Sequence, residues 1–258
     1  MNSKQMVIAL LTVAGLMLAP LAAFSAEEAE SNLARMWVVK PKPGMDQALE
    51  DAMKAHNAWR VENKDPWGWN TYHQVTGDSL DLWFIRSGGH SYADFDTYGD
   101  SEFSKNAYAH WLETVDPYVA SYQGHLAEFA PDVSNWPADA GPYEWYWVYT
   151  YQLKPGTGRP FTAALKAITD ALKAAGWDQV YAFNWQLNGE VPAMSLAIPE
   201  KDWGGFAGPE NGAYDTVVKA VGKDEADAMW AAMLEHVKRV TSTVYHRHED
   251  MSYEGAGN

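Results

Sequence analysis

Two periods of apolar and polar residues alternate along this chain, and the whole alternation occurs twice. Arg35–Lys40 and Trp147–Leu153 are apolar runs rich in strand-forming residues, each followed by Pro-Gly, which ends a strand. A helical period comes next. Phe161, Ala164, Leu165, Ile168 and Leu172 recur at steps of three and four, one face of an amphipathic helix. Strand patterns return at Trp69–Val75 and Tyr181–Leu187, then at Leu80–Ile85 and Ala193–Ile198. Gly77-Asp78 and Gly189-Glu190 fall between them as hairpin turns. Ala226, Met229, Trp230, Met233, Val237 and Val240 predict a second long helix, and Leu126–Ala130 and Val244–Glu249 predict closing strands.

The copies superpose residue by residue. A shift of 112 positions lays Lys42-Pro43-Gly44 on Lys154-Pro155-Gly156 and Gly77 on Gly189 without a gap. Leu49 then meets Phe161, Met53 meets Leu165 and His56 meets Ile168; after loops of different length Trp111 meets Trp230. Each copy reads β-α-β-β-α-β, a ferredoxin-like unit. Such a unit covers one sheet face with helices and leaves the other bare, so it needs a partner. A second copy supplies it. The expected fold class is α+β: two tandem ferredoxin-like repeats whose antiparallel sheets pack into a pseudo-dimeric α/β barrel. The expected organisation is a signal peptide at 1–25, an acidic tail at 26–34, repeats at 35–135 and 144–253, a Pro-Gly linker at 136–143 and a short tail at 254–258.

The N-terminus and composition narrow the function classes. "MNSKQMVIALLTVAGLMLAPLAAFS" carries one early cation and an apolar run of Met6–Leu18, shorter than the roughly 20 residues of a membrane-spanning helix. Ala23 and Ser25 are the small residues of a cleavage site. The expected location is periplasmic or secreted, with no membrane association after cleavage. No cysteine is present, which removes disulfides, thiol nucleophiles and a lipid-modified cysteine. The chain has 19 basic and 34 acidic residues, net −15, and removal of Lys4 with the leader makes it −16. That charge repels phosphate backbones, so no nucleic-acid partner is expected. Thirteen Trp and fourteen Tyr suit either aromatic-lined cavities or a generous aromatic core.

The strand–Lys-Pro-Gly–helix openings, the Gly-centred hairpins and the late-helix Trp111 and Trp230 resemble the dimeric α/β-barrel superfamily in its tandem, single-chain form. The opening is also similar to the NIPSNAP, EthD-like and antibiotic-biosynthesis-monooxygenase branches. The resemblance covers roughly residues 35–253 and implies the barrel; for activity it implies anything from cofactor-free oxygenase or isomerase to haem enzyme. The Gly-x-x-Asp-Gly motif of the dye-decolorising peroxidases is absent, which argues against that branch. Fold alone does not name the chemistry.

Strand alternation selects the candidate residues. Tyr181, Phe183, Trp185 and Leu187 form an apolar row suited to a helix-covered face, where amides would lie unpaired at about 1–3 kcal/mol each. The opposite row, Asn184 and Gln186 with Asn70, Tyr72 and Gln74, is therefore assigned to the barrel interior, joined by Phe84 and Arg86, with Thr150, Gln152 and Ser195 as further candidates. These residues either line a small-molecule cavity or pair with one another across a sealed interface. His73 and Asp81 replace Trp185 and Met194 of the second copy and could form an acid–base pair. His246 and His248 of "YHRHED" point the same way on a strand, as two metal ligands would; His73 or His236 could be brought near as a third, but spacing fixes neither. His56 is expected to be packed, and "GGFAGPENG" to form a flap over one barrel end. No nucleophile elbow or phosphate-binding loop is present. The leading expectation is an exported protein binding a small aromatic or apolar molecule between the sheets, with no cofactor and no metal. The alternatives are a cofactor-independent monooxygenase- or isomerase-type enzyme and an interaction protein without ligand; association into a homo-oligomer is compatible with each.

Overall fold

A computed structural model of the chain describes residues 32–137, 139–141 and 143–256. The expected signal peptide and most of the acidic tail lie outside these residues. The first half runs β1 (Leu33–Pro41), α1 (Asp46–Glu62), β2 (Trp69–Gln74), β3 (Trp83–His90), α2 (Tyr92–Asp100), α3 (Glu102–Thr114) and β4 (Val119–Phe129). The second half repeats it: β5 (Trp145–Leu153), α4 (Gly158–Ala174), β6 (Ala182–Gln186), β7 (Ala193–Glu200), α5 (Ala213–Val221), α6 (Lys223–Leu234) and β8 (Val237–Tyr253). Leu33 and Ala34, expected in the tail, already belong to β1.

Each half forms an antiparallel sheet, β4-β1-β3-β2 and β8-β5-β7-β6. Their edges join, β2 to β8 and β4 to β6, into one closed eight-stranded barrel. Closure removes every edge strand. The helices lie outside. Phe161, Leu165, Ile168 and Leu172 of α4, Val217 of α5 and Met233 of α6 pack on Tyr181, Phe183 and Met194, forming the second half's core. In the first half Leu49, Ala52 and Met53 of α1 pack on Val39, Val115 and Met251. The core is therefore between helices and the barrel's outer wall.

The repeated Lys-Pro-Gly has a physical basis. Lys42 and Lys154 donate from Nζ to the carbonyls of Pro117 and Glu235, at 2.6 and 2.5 Å, tying each first strand to the turn before the closing strand. Gly44 and Gly156 sit at φ +76° and +79° with nothing within 4 Å of an added Cβ. Conformation, not space, selects glycine there.

Several elements differ from the sequence pattern: each half carries two helices, not one, between its third and fourth strands, and β4 begins at Val119, not Leu126. The second long helix stops at Leu234, and Val237 and Val240 lie on β8. "VKRVTSTV" imitates helical spacing, but its β-branched residues fit a pleated surface better. The third strand is Trp83–His90, not Leu80–Ile85, because the hairpin turn extends to Leu82, whose carbonyl accepts from Gln74 N–H, and Leu80 is left exposed.

His56, which takes the place of Ile168, is buried beneath α3 with its ring edge-on to Trp111. Burial first, then the charges of Arg60 and His110, pushes its pKa down to about 2. The unfolded chain takes up a proton near pH 6.5 that the folded chain refuses, so stability falls as pH drops below that value. The expected loss approaches about 1.4 kcal/mol per pH unit, roughly 2–3 kcal/mol by pH 4.5. Urea titrations between pH 7 and 4.5 check this; His56→Gln, which keeps an acceptor for Arg60 Nε, should flatten that part of the slope.

Candidate functional site

Register decides which side chains enter the barrel, because directly opposed residues in antiparallel strands share a face. Asn70 lies opposite Arg86, Tyr72 opposite Phe84 and Arg247, and Gln74 opposite Tyr245. Asn184 lies opposite Ser195 and Gln186 opposite Ala193. The other face of the same strands carries Trp69, Thr71, Tyr181 and Phe183, all buried under helices and loops. All seven predicted ligand-binding residues, Asn70, Tyr72, Gln74, Phe84, Arg86, Asn184 and Gln186, thus face the lumen. Gln74 is buried and donates to the carbonyl of Thr76 at 2.8 Å. The other six are only partly buried.

The strand pairing adds lumen residues that pattern reading passed over. Arg247 donates from Nε to Asn70 Oδ1 at 2.6 Å. Tyr146 meets Tyr72 edge to face, with ring centres 5.4 Å apart, and Tyr245 meets Phe84 likewise at 4.9 Å. The alternation of "YHRHED" carries the signal for Tyr245 and Arg247, which share the face opposite the two histidines. Burial raises the Tyr72 phenol, while the guanidinium groups of Arg86 and Arg247 oppose that rise. Burial also lifts Tyr245 to about 12. Among the described residues no carboxylate lies within ion-pair distance of Arg86 or Arg247. Arg247, opposite Tyr72, and Arg86, opposite Asn70 beside it, are two guanidinium groups without carboxylate partners on the face that carries the phenol, an arrangement that favours an anion or a developing oxyanion. Gly88 makes room for it, since a Cβ there would stand 2.9 Å from an Arg86 guanidinium nitrogen.

At one end of the barrel Gln186 joins Thr150, Gln152, Glu190, Arg239 and Thr241 around a mouth of about 60 Å³. That volume admits a few waters or a small polar group. The "GGFAGPENG" segment does not cover an end. Its beginning belongs to a 3-10 turn, Trp203–Ala207, whose Trp203 and Phe206 pack on Trp145 and Trp147 on the barrel's outer wall.

The predicted pairing of His73 with Asp81 does not form. Asp81 sits in the turn before β3 and pairs with Lys40 at 3.1 Å. His73 turns outward to β8, where its Nδ1 lies 2.5 Å from His248 Nε2. His246, opposite His73 in the β2–β8 ladder, completes a group of three. Burial, then His73 and His246, pushes His248 down to about 4, and burial lowers His73. An open groove of about 570 Å³ runs past His246 and His248, lined also by Tyr143, Glu144, Arg247, Glu249 and Asp250. Elsewhere His90 meets Ser87 Oγ at 2.6 Å and stacks on Trp67, and His110 meets His56 at 2.9 Å; both read as packed residues.

Neither a protein-family model nor a curated protein matches this chain. Solved structures do. A candidate monooxygenase from Lactobacillus acidophilus aligns with a TM-score of 0.54 at 10% identity, covering 88% of this chain and 98% of its own. One from Fusobacterium nucleatum gives 0.54 at 11%, covering 84% and 93%. An anthrone oxidase-like protein gives 0.52 at 13%, covering 89% and 95%. At such identity the likeness is one of fold. The protein has the tandem dimeric α/β-barrel, ferredoxin-like fold. Among the described residues no helix is long and apolar enough to cross a membrane.

Proposed function

We propose that this is an exported protein that binds a small aromatic molecule bearing an acidic or carbonyl group inside the barrel. The observation that carries the reading is the pair of guanidinium groups, Arg86 and Arg247, beside Tyr72 on the lumen face of the strands. Tyr72, Tyr146, Phe84 and Tyr245 offer ring faces and edges, and Asn70, Asn184 and Gln186 offer amides. A few polar groups in an aromatic wall orient a small ligand. The purely apolar ligand allowed by the sequence pattern fits less well, because it would leave both cations unanswered.

Native mass spectrometry of protein purified from its own cells tests this. A retained small mass is expected, together with loss of residues 1–25. Arg86→Ala should weaken retention by about 10–100-fold, the worth of one charged hydrogen bond of about 1.5–3 kcal/mol. Tyr72→Phe should weaken it less, and exposed Asp81→Asn not at all. Unchanged retention in both lumen variants would move the site elsewhere, and a haem-type absorption band would overturn the cofactor-free expectation.

A second reading is a cofactor-independent oxygenase or isomerase. The same arginines would stabilise an enolate, and the structural neighbours described as candidate monooxygenases or anthrone oxidase-like favour it. Turnover of the retained molecule on exposure to air, abolished in Arg247→Ala, would establish that reading.

A further inference from the structure

We propose that His73, His246 and His248 form a transition-metal site on the outer wall of the barrel, built across the seam where the two halves of the chain join. His73 comes from β2 of the first half, His246 and His248 from β8 of the second, and one ladder holds them together. One ring nitrogen from each lies within 4.8 Å of the other two. The ring centres stand 4.7, 5.1 and 5.5 Å apart. Metal–nitrogen bonds of about 2.0–2.1 Å in a tetrahedral site place ligand nitrogens about 3.3 Å apart. The His73–His248 nitrogens stand closer than that, at 2.5 Å, and no pair exceeds 4.8 Å, so ring rotations on a fixed backbone bring the three within range of one ion.

A hydrogen-bonded histidine cluster explains less of the geometry. Only His73 and His248 are within hydrogen-bond reach of each other, at 2.5 Å. Among the described residues the His246 ring takes no hydrogen bond; it packs against Trp145 at 4.3 Å. Three imidazoles without a carboxylate between them provide lone pairs, and a cation answers all three at once. Glu50 of α1 and Asp250 of β8 bring carboxylates to this side of the wall, both paired with Lys54, at 2.8 and 2.9 Å. Three nitrogen ligands favour zinc, copper, nickel or ferrous iron over magnesium or calcium. A fourth position would open to the groove that His246 and His248 also line. The three histidines share the strand face opposite Tyr72, although Arg247 also lines the groove beside them, and the site does not depend on a ligand in the lumen.

The test uses the exported full chain stripped with chelator and titrated with Zn²⁺ or Co²⁺ alone. One equivalent per chain is expected, with visible Co²⁺ absorption of a nitrogen-ligated site and a raised urea midpoint from the clamped seam. His73→Gln, His246→Gln and His248→Gln, each checked for fold by circular dichroism, should weaken binding at least about tenfold, because even an outer partner of a metal ligand is worth about 10–100-fold. His125→Gln, a histidine away from this seam, should bind as the unaltered chain does. Absence of stoichiometric binding, or affinity unchanged in the folded triple variant, would overturn the proposal. Failure of lumen binding would leave these readouts untouched.

Discussion

Replacing Asp65 by alanine is expected to destabilise the protein by about 3–5 kcal/mol, the cost of removing one partner of a buried ion pair. Asp65 is fully buried and pairs with Arg60, itself mostly enclosed. Its carboxylate also accepts from Trp69 Nε1 at 3.0 Å, from the Trp67 backbone N–H at 2.9 Å and from the Tyr98 hydroxyl at 3.2 Å. Alanine leaves a guanidinium, an indole and two further donors without their acceptor, in a pocket of stacked rings that water cannot fill. The magnitude is a large share of the roughly 5–15 kcal/mol that holds a domain folded. Urea midpoints measure it. Combining Asp65→Leu with Arg60→Met should cost less than the sum of the single changes, since the buried charge is then removed with its partner. A loss below about 1 kcal/mol for Asp65→Ala would show that the carboxylate is solvated rather than enclosed.

Phe161→Ala should cost about 3–5 kcal/mol as well, by a different route. Phe161 has no exposed surface and lies among Leu153, Leu165, Val217 and Met233, where α4 and α6 meet the barrel wall. Nothing polar is lost; the penalty is lost transfer free energy plus a cavity that close-packed neighbours refill only in part. Leu49 is its counterpart in the first half and equally buried, so Leu49→Ala should cost about 2–5 kcal/mol. Because the barrel is closed by β2–β8 and β4–β6 pairing, either substitution should lower the midpoint of one shared unfolding transition. Two separated transitions would mean that the halves fold independently.

Much of the fold was legible before any coordinates because local periods carry it. Phe161, Leu165 and Ile168 announce their helix by spacing, and Tyr181 and Phe183 announce a helix-covered strand face by alternation. The lumen row followed from the same alternation, since Asn70, Tyr72 and Asn184 could not lie beneath helices unpaired. Where two periods coincide, as in Val237–Val244, the pattern misled, and β-branched composition was the better guide. The site was only half visible. Tyr72 and Arg86 could be placed inside, but their neighbour Arg247 comes from 175 residues beyond Tyr72 and reaches Asn70 only through the register of β2 on β8. His246 and His248 were identifiable as a pair, whereas the choice of His73 over His236 as the third member was not.

The sequence by itself determined the duplication, through a match of the chain to itself 112 residues on, and the α+β class, the helix-covered wall and the inward amide–tyrosine row, through side-chain periodicity within each element. The tertiary structure alone decided which edges meet. The β2–β8 seam puts His73 beside His246 and His248 and Arg247 beside Asn70 and Tyr72, while β1–β3 pairing puts Lys40, not His73, beside Asp81. Those juxtapositions rest on strand register between distant segments, which a one-residue slip would reverse and which no local pattern records.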